Sequence, residues 1–88
     1  MVKRRNEIES MIRNEPFSYR TAYDANSNVL YEGWAVPGAL TSAAVWIIAT
    51  HEYDASNRIT ATLWAQTTGS PPADFDQIWD NRTSLTYV

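Results

Sequence analysis

The chain has no cysteine, one histidine and three glycines among 88 residues. Without cysteine there is neither a disulfide nor a thiolate ligand to staple a small fold, and the redox compartment leaves no trace. A single His51 leaves carboxylates as the only other strong metal ligands, which excludes the His/Cys sets that bind transition metals. Long apolar runs are missing too. The longest, "AAVWIIA", is strand length, against the ~20 residues of a membrane span. No secretory h-region is present either, and no membrane partner is expected. Basic charge is scarce. Seven Lys and Arg face ten Asp and Glu, and Lys3, Arg4, Arg5 and Arg13 all lie in residues 1–15. The rest of the chain is acidic, which argues against nucleic acid as the main partner, because that affinity comes largely from neutralising phosphates.

Aromatic residues are plentiful: four Trp, five Tyr and two Phe. Such side chains fill cores and are also enriched at interfaces. The length fits one small domain with a modest core, whose stability can lean on partners.

Periodicity organises the chain. Residues 5–15, "RNEIESMIRNE", predict a short helix with Ile8, Met11 and Ile12 on one stripe, ended by Pro16. A helix this short is marginal alone and must dock on its own sheet or on a neighbour. The expected organisation is a helical arm, 1–15, and a single β-domain, 16–88. "FSYRTAYD" alternates as a strand, "ANSN" turns and "VLYEGWAV" returns. After the "PGALTSA" break, "AVWIIATHEY", "DASN" and "RITATLWAQ" make a second hairpin. Both faces of this hairpin are apolar: Val45, Ile47 and Ala49 share one, Ile59, Ala61, Leu63 and Ala65 alternate in the same way on the fourth strand, and Trp46 and Ile48, with Trp64, are assigned to the other. A one-faced sheet has no need of this, so something covers the second face. "YDANSNVLYEGWA" and "YDASNRITATLWA" align at an offset of thirty. An internal duplication and shared hairpin grammar both explain that likeness. "TTGSPPA" reads as a loop. In "DFDQIWDNRTSLTYV", Asp74 and Gln77 have capping-box spacing, so one helical turn is expected with Phe75, Ile78 and Trp79 on one side. Leu85 and Tyr87 then alternate as an edge strand. The fold class is mainly β: a small antiparallel sheet or sandwich of two hairpins, with a short N-terminal helix and a C-terminal capping segment.

Few residues carry chemistry. Asp24, Asn26 and Asn28 begin like a calcium-binding EF-hand loop, but Val29 and Ala35 stand where that loop needs Gly and Glu. A hairpin turn explains them. Asn81-Arg82-Thr83 matches a glycosylation sequon, which means little without a secretory signal. His51 has Glu52 beside it, but a triad needs a nucleophile, a base and an orienter converging in space. Asp74, Asp76 and Asp80 have the composition of a glycosidase pair, but a domain this small rarely has room for the cleft. Trp34, Trp46, Trp64 and Trp79 are read as core and interface, with a sugar-stacking platform as the alternative. Arg82 is expected to pair with Trp79 or Asp80 and lock the tail to the sheet.

"YEGWAVPGALTSAAVWII", "ITATLWA" and "FDQIWDNRTSLTYV" together resemble small structural proteins of tailed bacteriophages. The shared positions are Tyr31, Gly33, Ala35, Pro37, Gly38, Trp46, Trp64, Ala65, Phe75, Asp76, Trp79, Asp80, Arg82, Ser84, Leu85 and Tyr87. The N-terminal helix lies outside the likeness. That group tends to carry a basic residue soon after the Trp of the third strand, where this chain has Ile47-Ile48-Ala49. It also tends to carry Asp-Gly after Trp-Ala, where this chain has Gln66-Thr67. The resemblance implies a context, the virion, and no mechanism. The expectation is a non-enzymatic structural component (head decoration, neck or tail accessory protein) without cofactor. It would form a homo-oligomer and dock on other capsid or tail proteins, with Ile8, Met11, Ile12, Trp46, Ile48 and Trp64 as interface residues. The alternative is a carbohydrate-binding or adhesin module using exposed Trp.

Overall fold

The computed structural model describes residues 17–66 and 74–88. The predicted helix of residues 5–15, with Ile8, Met11 and Ile12, lies outside the described residues. Four strands run in sequence order: β1 (Ser18–Tyr23), β2 (Val29–Ala35), β3 (Ala44–Tyr53) and β4 (Ile59–Trp64). All neighbours are antiparallel, so the two hairpins join along β2–β3 into one meander. The sheet is single, and its second layer is supplied by the C-terminal segment.

The hairpin turns are built alike. Asp24 Oδ1 accepts the backbone N–H groups of Asn26 and Asn28, and Asp54 Oδ1 accepts those of Ser56 and Arg58. Each Asp thus satisfies turn amides that the ladder cannot reach. The left-handed position falls on Ser27 in one turn and Asn57 in the other. Each hairpin slips register at the same place, after Ala22 and after Glu52. The turns also touch, with Asn28 Nδ2 donating to Asn57 Oδ1 at 2.9 Å. The offset of thirty seen in the sequence is therefore an offset in structure, and the spacing that resembles a calcium loop is an Asx turn.

Strand alternation divides the sheet into two faces. On the first lies the main core: Ala35, Trp46, Ile48, Ala65 and Trp79, with Tyr31, Val45, Leu85 and Tyr87 packed against it. On the second lies Ile47, flanked by Trp34, Trp64 and Phe75. Trp64 pairs with Ala49, which puts it on the Ile47 face and corrects its assignment beside Trp46 and Ile48. Val45 also departs from expectation. An irregularity between Ala44 and Trp46 turns it toward the main core.

The C-terminal segment closes the first face, as a clasp. Residues Ala44–Trp46 of β3 extend beyond the reach of both β2 and β4, and β5 (Gln77–Ile78) pairs there. The 3₁₀ helix Trp79–Ser84 follows. Trp79 lies 5.9 Å from Trp46, centroid to centroid, and covers Gly33. Arg82 stacks its guanidinium 4.7 Å from the centre of the Trp79 ring. Tyr87 packs on Tyr31 and donates to the Arg82 carbonyl at 2.7 Å. Val88 and Trp64 then exchange both backbone hydrogen bonds.

The expected capping box does not form. Asp74 Oδ1 accepts from the Phe75 amide and Asp76 Oδ1 from the Gln77 side chain, while Gln77 enters a strand and the helix starts at Trp79. Pairing with β3 overrides the local helical signal. Phe75 and Trp79 also go to opposite faces, Phe75 to Ile47 and Trp79 to Trp46. The segment therefore passes from one face to the other.

Candidate functional site

The clasped face has little surface to offer. Trp46 and Ile48, expected at a partner interface, are 0% exposed beneath the clasp. Their burial removes them from any contact surface and corrects that expectation. This face needs a cover, and the chain's own Trp79 provides it. Trp64 belongs to the other face and is half-buried.

That other face carries a row of aromatic rings. Tyr19 of β1 lies 5.5 Å from Trp34 of β2, and Trp34 lies 6.0 Å from Trp64 of β4. Phe17 and Phe75 stack beside the row at 6.3 Å. The floor beneath is Ile47, fully buried. Trp34 faces Ile47 across β2–β3, and Trp64 is the equivalent residue of the second hairpin. Equivalent hairpins repeat the same Trp on the same side. Phe17, Tyr19, Glu32 and Trp34 border a shallow recess of about 360 Å³.

A polar line adjoins the rings. The Tyr19 hydroxyl donates to Glu32 Oε2 at 2.5 Å. The other Glu32 oxygen meets His51 Nε2, and His51 Nδ1 is 2.9 Å from Thr62 Oγ1. Burial pushes the Tyr19 hydroxyl up, and the bond to the Glu32 carboxylate adds to the shift. The sequence places Glu52 beside His51. In the sheet, Glu52 points away and the true partner is Glu32, one strand over. Only the β2–β3 register brings the two together.

Thr62, His51 and Glu32 thus make a hydroxyl–imidazole–carboxylate line, the composition of a catalytic triad. Acyl transfer also needs donors aimed at the developing oxyanion and a place sheltered from water. Here Thr62 is exposed, and sheet amides lie in the sheet plane while its hydroxyl projects from the face. In the tautomer whose Nε2–H donates to Glu32, Nδ1 accepts from Thr62. Every polar atom of the line then has a partner, which is what a partly buried histidine in a sheet requires.

Arg82 makes the expected cation–π contact with Trp79, with no ion pair among the described residues. Among the described residues no three His, Cys, Asp or Glu gather to hold a metal ion. No described helix is long and apolar enough to cross a membrane.

Fold and site together define a four-stranded antiparallel meander clasped on one face and aromatic on the other. No family model matches the chain, and neither the curated proteins nor the solved structures contain a significant match.

Proposed function

We propose that the protein is a non-enzymatic structural component of a tailed-phage particle, acting by self-association and by docking on capsid or tail proteins. The observation that carries the reading is the aromatic row Tyr19–Trp34–Trp64. It stands on the face away from the clasp, in a chain whose sequence resembles phage structural proteins. Large, half-exposed aromatics over a rigid sheet supply contact area at low entropic cost, and such residues dominate interface energies. The Glu32–His51 pair at the edge of the row adds orientation.

The reading is tested by co-sedimentation with purified tailed-phage heads and tails. The Trp34→Ser, Trp64→Ser double variant should keep its melting profile within a few degrees and lose shell binding. Wild-type protein that binds neither heads nor tails would sink the proposal. Genes for portal, capsid or tail proteins beside this one would strengthen it independently.

A second reading rests on the same rings. Trp34 and Trp64 are tilted by 30° to each other, with the Glu32 carboxylate alongside. Apolar ring faces flanked by hydrogen-bonding groups are what a sugar ring needs. A titration of tryptophan fluorescence with oligosaccharides separates the two readings. Only the adhesin module predicts saturable quenching.

A further inference from the structure

Among the described residues the meander ends in two edges with free positions. Among the described residues β1 pairs only with β2, and β4 pairs on its outer side only with the chain end, at Trp64 and beyond. Exposed edges are hazards that proteins usually blunt with charge, proline or cover. Here the β4 edge, "ITATLW", has no charge and no proline, and Ile59 at its start is 57% exposed. On β1, Tyr19 is 50% exposed.

The internal repeat says what fits these edges. β3–β4 follows β1–β2 at an offset of thirty, with the same Asx turns, the same left-handed positions and the same register slips. The β2–β3 seam is therefore the contact between the end of one hairpin unit and the start of the next. β4 is the equivalent of β2, and β1 is the equivalent of β3. From these correspondences we infer that β4 of one chain adds to β1 of a second copy, head to tail, in the register of the internal seam. Glu32 opposite Ala49 becomes Thr62 opposite Tyr19 of the second copy. Gly33 opposite Ile48 becomes Leu63 opposite Ser18, and Tyr31 opposite Thr50, the last pair of the internal seam, becomes Ala61 opposite Arg20. This specifies the self-association in the proposed function and rests on that reading.

The hydrogen-bond parity of the edges agrees. Trp64 bonds outward to Val88, so Thr62, two residues earlier and short of the β4 bulge, also points its backbone groups outward. Ala65 donates to the Ile48 carbonyl, so Ile48 faces β4 and Ala49 faces β2. Glu32 and Trp34 must then face β3. Tyr19, opposite Trp34, is left facing outward, as is Thr21. The two edges thus present their free groups at Tyr19 and Thr62, which the inherited register sets opposite one another. Paired residues also fall on matching faces, with Tyr19 and Thr62 both beside the aromatic row. At the turns, Asn28 donating to Asn57 becomes Arg58 facing Ser27 of the next copy, a donor opposite a hydroxyl. Head-to-tail contacts of this kind build rings or filaments.

The absence of cysteine makes the test direct. Chains carrying Arg20→Cys are mixed with chains carrying Ala61→Cys and gently oxidised. These residues form a close, non-hydrogen-bonded pair in the inferred seam, within disulfide reach. The mixed dimer should exceed that from Arg20→Cys with Leu63→Cys by about tenfold, because two residues displace the partner by about 7 Å. Thr62→Pro removes an amide that no ladder among the described residues uses, and with it the hydroxyl that meets His51 Nδ1, so Thr62→Val, which lacks only that hydroxyl, is its control: the two variants should melt alike, and only the proline variant should lose assembly in sedimentation. Wild type that stays monomeric at high concentration overturns the seam, as does equal cross-linking in both registers. The cross-link reads the seam even if the proline variant folds poorly. Shell binding retained without the register-specific cross-link defeats the seam and leaves the docking function standing. A specific cross-link with no shell binding does the reverse.

Discussion

Replacing Gly33 with alanine puts a methyl group where the clasp leaves no space. A Cβ at this position would lie 2.6 Å from Trp79 Cε3, 2.8 Å from Trp79 Cζ3 and 3.2 Å from Trp46 Cε3. All three atoms belong to buried rings. The Trp79 ring cannot simply withdraw, since Arg82 stacks on it and Tyr87 ties the Arg82 carbonyl back toward the sheet. Overpacking of this kind costs about 1–3 kcal/mol. Against it stands the gain of about 0.5–1 kcal/mol when alanine replaces glycine inside a strand. The net expectation is destabilisation of about 1–2 kcal/mol, or a fall in Tm of roughly 4–16 °C for a domain of this size.

Urea unfolding followed by circular dichroism measures the loss, and a second background assigns its cause. Trp79→Leu lacks both clashing ring carbons. In that background Gly33→Ala should be neutral or slightly stabilising, giving a coupling of about 2 kcal/mol between the two sites. Trp79→Ala serves less well, because its own cost of about 3–5 kcal/mol approaches the whole stability of a small domain. An equal penalty for Gly33→Ala in both backgrounds would refute the reasoning and place the strain in the backbone instead.

Other perturbations test the turns and the polar line. The Arg58 backbone amide, with help from that of Ser56, holds the Asp54 carboxyl below its ordinary value despite some desolvation. A depressed folded pKa gives stability that is present above the unfolded value of about 3.9 and is lost as pH falls through the folded one. Asp54→Asn should flatten the part of the Tm–pH curve below about pH 4, and an unchanged acid limb would count against this turn. Ser27→Gly should stabilise by up to about 1 kcal/mol, because a non-glycine side chain at positive φ is strained. Asn57→Gly should gain less, since Asn tolerates that conformation and the change also deletes the bond from Asn28. Glu32→Ala leaves His51 Nε2, on a side chain only 10% exposed, without its acceptor. A loss of about 1–3 kcal/mol is expected in urea unfolding. A neutral result would mean that water replaces the carboxylate.

The two hairpins, their turn residues and the tail as a cover are legible in the sequence because local chemistry makes them. Alternation and Asx-turn grammar act over a few residues and need no tertiary information. The features that escape such reading depend on contacts between distant segments. The helical turn at Asp74–Gln77 gives way because β3 overhangs its neighbours and offers Gln77 and Ile78 a pairing partner. Phe75 and Trp79 separate because the chain crosses between faces within those few residues. The Glu32–His51 contact joins residues in different hairpins, and only the β2–β3 register sets them side by side.

The misplacement of Trp64 is the most instructive, because the sequence holds its own remedy. In an antiparallel hairpin, face follows register, and a single added loop residue exchanges the faces of the returning strand. Composition cannot choose between the two outcomes on β4, since both faces of β3 are apolar. The repeat can. Tyr23, Asp24 and Ala25 recur as Tyr53, Asp54 and Ala55, and the same spacing carries Trp34 onto Trp64. Equal turn chemistry forces equal loop length, here including an equal bulge in each hairpin. Trp34 and Trp64 are then bound to the same face, whatever covers it. Trp46, in the odd strand between them, has no aromatic counterpart thirty residues earlier. Pro16 stands there. The repeated tryptophans build the half-buried aromatic row, and the unrepeated pair Trp46 and Trp79 builds the core. Repetition thus separates the aromatic row from the main core in this chain where hydropathy could not.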